Sequence, residues 1–198
     1  MRLWWKNRQP IMICVTVLVT TPLLAMVCGL IVSPPALAAS VPTPLSVFFP
    51  LTVVVSVNAV LDRADHRLEA GARRRIALAD ATLVVATVVA TAALWTFLSA
   101  MASDSDLFVV AARNVTGYVG LTVLAGALWD YTTGTLAAPI LVIAATLLGG
   151  SPGADTRLWA WPLRPADDIA AWAIAVSLLV TGLVSMLRTS PRPWRARR

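Results

Sequence analysis

Charge is scarce in this sequence. Asp, Glu, Lys and Arg make up 13% of its 198 residues, where a soluble domain carries about 25%. So few charged groups cannot cover a fully wetted surface, which excludes ordinary soluble globular and disordered chains. Lysine is nearly missing: Lys6 stands alone against fifteen arginines. The one lysine lies in the N-terminal tail and no GxxxxGK[ST] run occurs, so the chain supplies no Walker-type ATP site of its own. Histidine occurs once, as His66 in a basic segment, which leaves no Ser–His pair inside an apolar one. The two cysteines, Cys14 and Cys28, share the first apolar run. Fourteen residues of straight helix separate them by about 21 Å, beyond disulfide reach. They read as small apolar residues, and no zinc spacing exists.

What is abundant is apolar length. Hydrophobic residues make up 58% of the chain, and its mean hydropathy is +0.77. A helix needs about 20 apolar residues to cross the hydrocarbon core. The first candidate span is Ile11–Val32, with Pro22 as an expected kink. The second, Leu45–Leu61, follows a stretch containing Pro34, Pro35, Pro42 and Pro44. The third is Ile76–Ala100, and the fourth, Leu107–Trp129, is interrupted by Arg113 and Asn114. The fifth, Thr135–Leu148, is short and contains Pro139, and the sixth is Ile169–Leu187. The expected fold is all-α, a single polytopic domain over residues 1–198 with six transmembrane helices.

Arginine placement orients it. With a cytoplasmic N-terminus, the inner side receives Arg2, Lys6, Arg8, the five arginines of residues 62–75, and the five from Arg188 onward. The outer side receives Arg157 and Arg164. Thirteen basic groups against two is a positive-inside asymmetry, so both termini are expected inside, at the cell membrane. The high isoelectric point therefore reads as a topology signal, and no nucleic-acid partner is expected. Residues 1–39 also admit a second reading as a secretory signal, with Ala36-Leu37-Ala38 as a cleavage box. An apolar stretch of 22 residues exceeds the roughly 7–15 of such signals, which favours a retained helix. Trp4, Trp5, Trp129, Trp159, Trp161 and Trp172 fall near span ends, where indole rings favour the headgroup layer.

Three groups of residues carry potential chemistry. The inner segment 62–75 reads DRADHRLEAGARRR. In it Asp62, Arg63, Asp65, His66, Arg67, Glu69, Arg73, Arg74 and Arg75 form either a solvated loop or a short polar helix. Such a helix would transmit force from a cytosolic partner. Asn58, Asp62 and Asp65 also have spacing compatible with a magnesium-diphosphate site, but a second inner acidic cluster is missing, with only Asp80 and Asp130 at hand. Asp80 is expected to pair with Arg73 or Arg74. Arg113 and Asn114 are the costly residues, because a charge inside the bilayer must snorkel or find a partner. Three readings stand for Arg113: relief at the outer interface, a true span beginning at Arg113, or a polar cavity where it pairs with Asp104 or Asp106 and meets cargo. Gly117, Gly120 and Gly126 give the fourth span a small-residue side that lets a neighbouring helix approach closely.

The layout resembles the permease subunits of type-2 ABC exporters: a basic inner N-terminus, six spans, an inner segment after span two and a longer outer segment before span six. More narrowly, ARNVTGYVGLTVLAGALWD at 112–130 and RLWAWPLRPADDIAAW at 157–172 look like segments of small actinobacterial membrane proteins associated with ABC ATPases. The resemblance implies a dimer, of two copies or with a sibling permease, and a separate ATPase subunit that carries ATP and magnesium. No cofactor or catalytic residue is then expected in this chain. It also implies that 62–75 is the coupling element and 151–168 an outer segment that enters or caps the membrane. Two other classes compete: a non-transporting assembly or regulatory subunit gripped along the small-residue side of span four, and a magnesium-dependent prenyltransferase-like enzyme.

Overall fold

The structure is a computed structural model that describes residues 9–27, 31–32, 43–63, 73–101, 105–149 and 156–188. Seven α-helices are found among them: α1 Ile11–Val27, α2 Pro50–Asp62, α3 Arg73–Ser99, α4 Ser105–Leu128, α5 Tyr131–Gly134, α6 Ala137–Leu148 and α7 Ile169–Arg188. Two 3-10 turns, Leu45–Val47 and Leu158–Leu163, precede α2 and α7. Ile31–Val32 and Thr43–Pro44 form a two-residue antiparallel pair.

The apolar segments become helices, with shifted ends. The first span stops at Val27, and Ile31 and Val32, expected to be helical, are extended instead. The second is a 3-10 turn followed by a helix that opens at Pro50, a first-turn position where proline's missing N–H costs nothing. The third begins three residues before its expected start and takes Arg73, Arg74 and Arg75 into the helix. The fifth begins two residues late, at Ala137, behind a separate single turn. Asp130 caps the single turn α5 by accepting from Thr133 N at 2.7 Å, and α6 follows from Ala137.

Helix α4 is the axis of the bundle and is packed by α7, α3 and α2. Its buried residues Phe108, Ala111, Ala112, Val115, Tyr118, Val119 and Val123 continue into Val53, Val54 and Val57 of α2 and Ala171 and Ala175 of α7. The close approach of α4 to α7 depends on two glycines. A Cβ built on Gly182 would lie 2.6 Å from the carbonyl oxygen of Gly120, and one on Gly120 would strike the backbone at Leu178 and Leu179. Outward faces are apolar too: Leu18 and Met26 of α1, Val89 and Phe97 of α3, Ile140 and Ile143 of α6, and Val176 and Val180 of α7 are exposed. A bundle apolar inside and out is built for lipid. Four helical stretches, Ile76–Ser99, Asp106–Leu128, Tyr131–Leu148 and Ile169–Arg188, are long and apolar enough to cross a membrane. They mark an all-helical, membrane-embedded protein. Two shorter apolar helices, Ile11–Met26 and Pro50–Asp62, accompany them.

Candidate functional site: an arginine held by a proline-rich turn

The costliest residue of the sequence organises the most distinctive structure. Arg113 lies two turns into α4 and is 0% exposed, covered by its own chain. Backbone carbonyls receive it. Nη1 donates to Pro165 O at 2.6 Å, and Nη2 donates to Arg164 O at 2.9 Å, Trp161 O at 3.0 Å and Pro162 O at 3.4 Å. Asn114, also fully buried, donates through Nδ2 to Pro162 O at 3.1 Å. Asp104, one of the expected partners, lies outside the described residues.

One of these acceptors, Pro162 O, is left open by proline chemistry. Carbonyls at the end of a helical turn need donors from residues three or four further on. Pro165, three residues after Pro162, has no N–H and so cannot close the turn onto the Pro162 carbonyl. Arg164 N still reaches Trp161 O, at 3.2 Å, but the carbonyl of Pro162 turns to the side chains of α4. A guanidinium with five donors in a flat fork suits a ring of convergent carbonyls.

Trp161 drives the turn into the bundle. It is 2% exposed, and its ring lies 5.5 Å from that of Tyr118 at an interplanar angle of 53°. The ring sits on Gly117, where any Cβ would overlap it. Trp161 is therefore a buried wedge, in contrast to the interfacial anchor expected of it. Trp159, two residues earlier, is 40% exposed. The turn is tied on its other sides as well. Arg157 N donates to Gly149 O at 3.0 Å, where α6 ends. Arg164 pairs with Asp168 at 2.9 Å, and the same carboxylate caps α7 through Ala171 N at 3.0 Å. One short segment thus joins the start of α4, the end of α6 and the start of α7.

The three glycines of α4 all meet residues of this chain: Gly117 meets Trp161, Gly120 meets α7, and Gly126 meets the ring of Tyr131. Of the inner segment, Asp65, His66, Arg67 and Glu69 lie outside the described residues, as do the side chains of Arg73, Arg74 and Arg75. Asp62 ends α2 and accepts from Thr132 Oγ1 at 3.3 Å. Arg63 donates from Nη1 to Gln9 Oε1 at 2.8 Å and also contacts Met12 Sδ. Asp80 is buried. Asn58 is buried while Asp62, four residues on, is exposed, so the two do not share an open site. No group of three or more His, Cys, Asp or Glu able to hold a metal occurs among the described residues.

Sequence reasoning missed Trp95 and Tyr118, both fully buried. The indole N–H of Trp95 donates to Thr21 Oγ1 at 3.1 Å, and the Tyr118 hydroxyl donates to Val47 O at 3.4 Å. Their only signal was a polar-tipped aromatic in mid-span, which demands a partner.

Comparisons of the chain with protein-family models, with curated proteins and with solved structures return no match.

Proposed function

We propose that this chain is the membrane-spanning subunit of an ABC-type exporter, driven by a separate ATPase that docks on the inner segment 62–75. The observation that carries the proposal is the buried outer turn. Residues 158–163 fold back between helix ends and bury Trp161 against Gly117, one helical turn deeper than Arg113. An outer segment entering the bundle just before the last helix is what the resemblance to type-2 exporter permeases implies. In this reading α1 to α4, the α5–α6 pair and α7 make six spans, with both termini inside and the protein in the cell membrane. Two such subunits pair, and the cargo path runs between them. The interior of a single bundle is filled by its own side chains, which is consistent with a path at a dimer interface.

A second reading, a non-transporting assembly or regulatory subunit, is favoured by one observation. The charge buried in α4 is spent on backbone carbonyls of the same chain and is not turned toward a cargo. A partner of that kind would have to grip a face other than the glycine side of α4, which Trp161, α7 and Tyr131 fill.

Co-purification from native membranes separates the two. An exporter subunit brings down a P-loop ATPase, and deleting 64–70 releases it. A stable complex that contains no nucleotide-binding chain supports the second reading.

A further inference from the structure

Helix α1 has the outline of a secretory signal in sequence but the contacts of a structural helix. Three polar links join it to the bundle at three depths. At its inner end Gln9 Oε1 accepts from Arg63 of the α2 terminus at 2.8 Å. Two turns further on, Thr16 Oγ1 accepts from Ser56 Oγ at 2.8 Å. Towards the far end, Thr21 Oγ1 accepts from the indole N–H of Trp95 at 3.1 Å. Ile13 and Leu24 of α1 are buried in the same core as Val53 and Trp95, while Leu18 and Met26 face outward.

These contacts are costly to lose. Trp95 is 0% exposed in α3, and without α1 its N–H would face hydrocarbon with no partner, which membrane proteins avoid. A signal segment released after targeting has no reason to satisfy a donor on a helix that follows it in the chain.

We infer that α1 is a retained transmembrane helix of the working protein, registered by the Thr16–Ser56 and Thr21–Trp95 hydrogen bonds, and that the Ala36-Leu37-Ala38 box is not a cleavage site. The inference stands apart from the exporter reading and holds for any function of the bundle.

A chain tagged at both ends and expressed in bacterial membranes provides the test. The expected product carries both tags at full-length mass, and Ala38→Phe leaves its size unchanged. A product that lacks the N-terminal tag, and regains it on Ala38→Phe, overturns the inference. A second measurement keeps it falsifiable whatever the tags do. The double variant Thr16→Ala, Thr21→Val should lower the melting temperature of the detergent-purified protein by about 2–4 °C, while Leu18→Ala on the outward face leaves it in place. Equal melting of both variants and the parent contradicts a registered helix.

Discussion

The guanidinium of Arg113 and the carbonyl of Pro165 stand 52 residues apart in the chain and meet at 2.6 Å. A charged side chain in the most buried long helix is thereby converted into a fastening for the turn before α7. The expense of a buried charge is met by several hydrogen bonds to dipoles, the arrangement in which an arginine is tolerated away from water.

Removing the fastening should be expensive. Arg113→Met leaves the Arg164 carbonyl with no donor among the described residues, while Trp161 O keeps Arg164 N, Pro162 O keeps Asn114 Nδ2 and Pro165 O keeps Asp168 N, so the expected cost is about 1–3 kcal/mol. Arg113→Lys keeps the charge but loses the fork, so its loss should be smaller. Thermal unfolding in detergent, followed by size-exclusion chromatography, should rank the parent above Lys and Lys above Met. Equal stability of all three would show that the turn holds itself.

The contact of Gly117 with Trp161 predicts a coupled pair. Gly117→Ala should destabilise by about 1–3 kcal/mol, the usual range for overpacking. In a Trp161→Leu background the same change should cost far less, because the ring it strikes is gone. Additive effects in the double-mutant cycle would mean that the two residues do not touch.

Asn58 makes the opposite prediction. It is 1% exposed, and neither of its amide atoms has a hydrogen-bond partner among the described residues. Replacing a buried, unpartnered polar group by an apolar one of similar size is neutral or stabilising. Asn58→Leu should therefore match or exceed the parent in melting temperature. A marked drop would reveal that Asn58 serves a group that its protein neighbours do not provide.

The topology proposed from the arginine count can be read with reporters. An alkaline phosphatase fusion after Arg164 should be active, and one within 64–70 inactive, in bacterial cells. The reverse pattern, or activity at both sites, contradicts six spans with both termini inside.

Much of this architecture is legible in sequence because hydropathy is a property of whole segments. The four long apolar stretches come out as helices within a few residues of their expected ends, since nothing in lipid competes with the helix for backbone hydrogen bonds. The ends themselves are less legible. Asp130 caps a single turn between the fourth and fifth spans, and α1 stops before the extended pair at Ile31–Val32. The partners of Arg113 were hidden for a different reason. Side chains announce themselves in sequence, whereas carbonyls are present at every residue. The available signal was Pro165, three residues after Pro162, which leaves the Pro162 carbonyl without its backbone donor and open to a side chain. Trp159 and Trp161 are alike in composition and spacing, and only the glycine at position 117 tells which of them is buried.

The inner segment carries the central claim, and cross-linking in intact membranes addresses it most directly. A photoreactive amino acid placed at position 66, in place of His66, should capture a P-loop ATPase on illumination, and the yield should change when ATP is replaced by a non-hydrolysable analogue. Capture of no nucleotide-binding chain from native membranes, with the protein intact and correctly oriented, would contradict the exporter account.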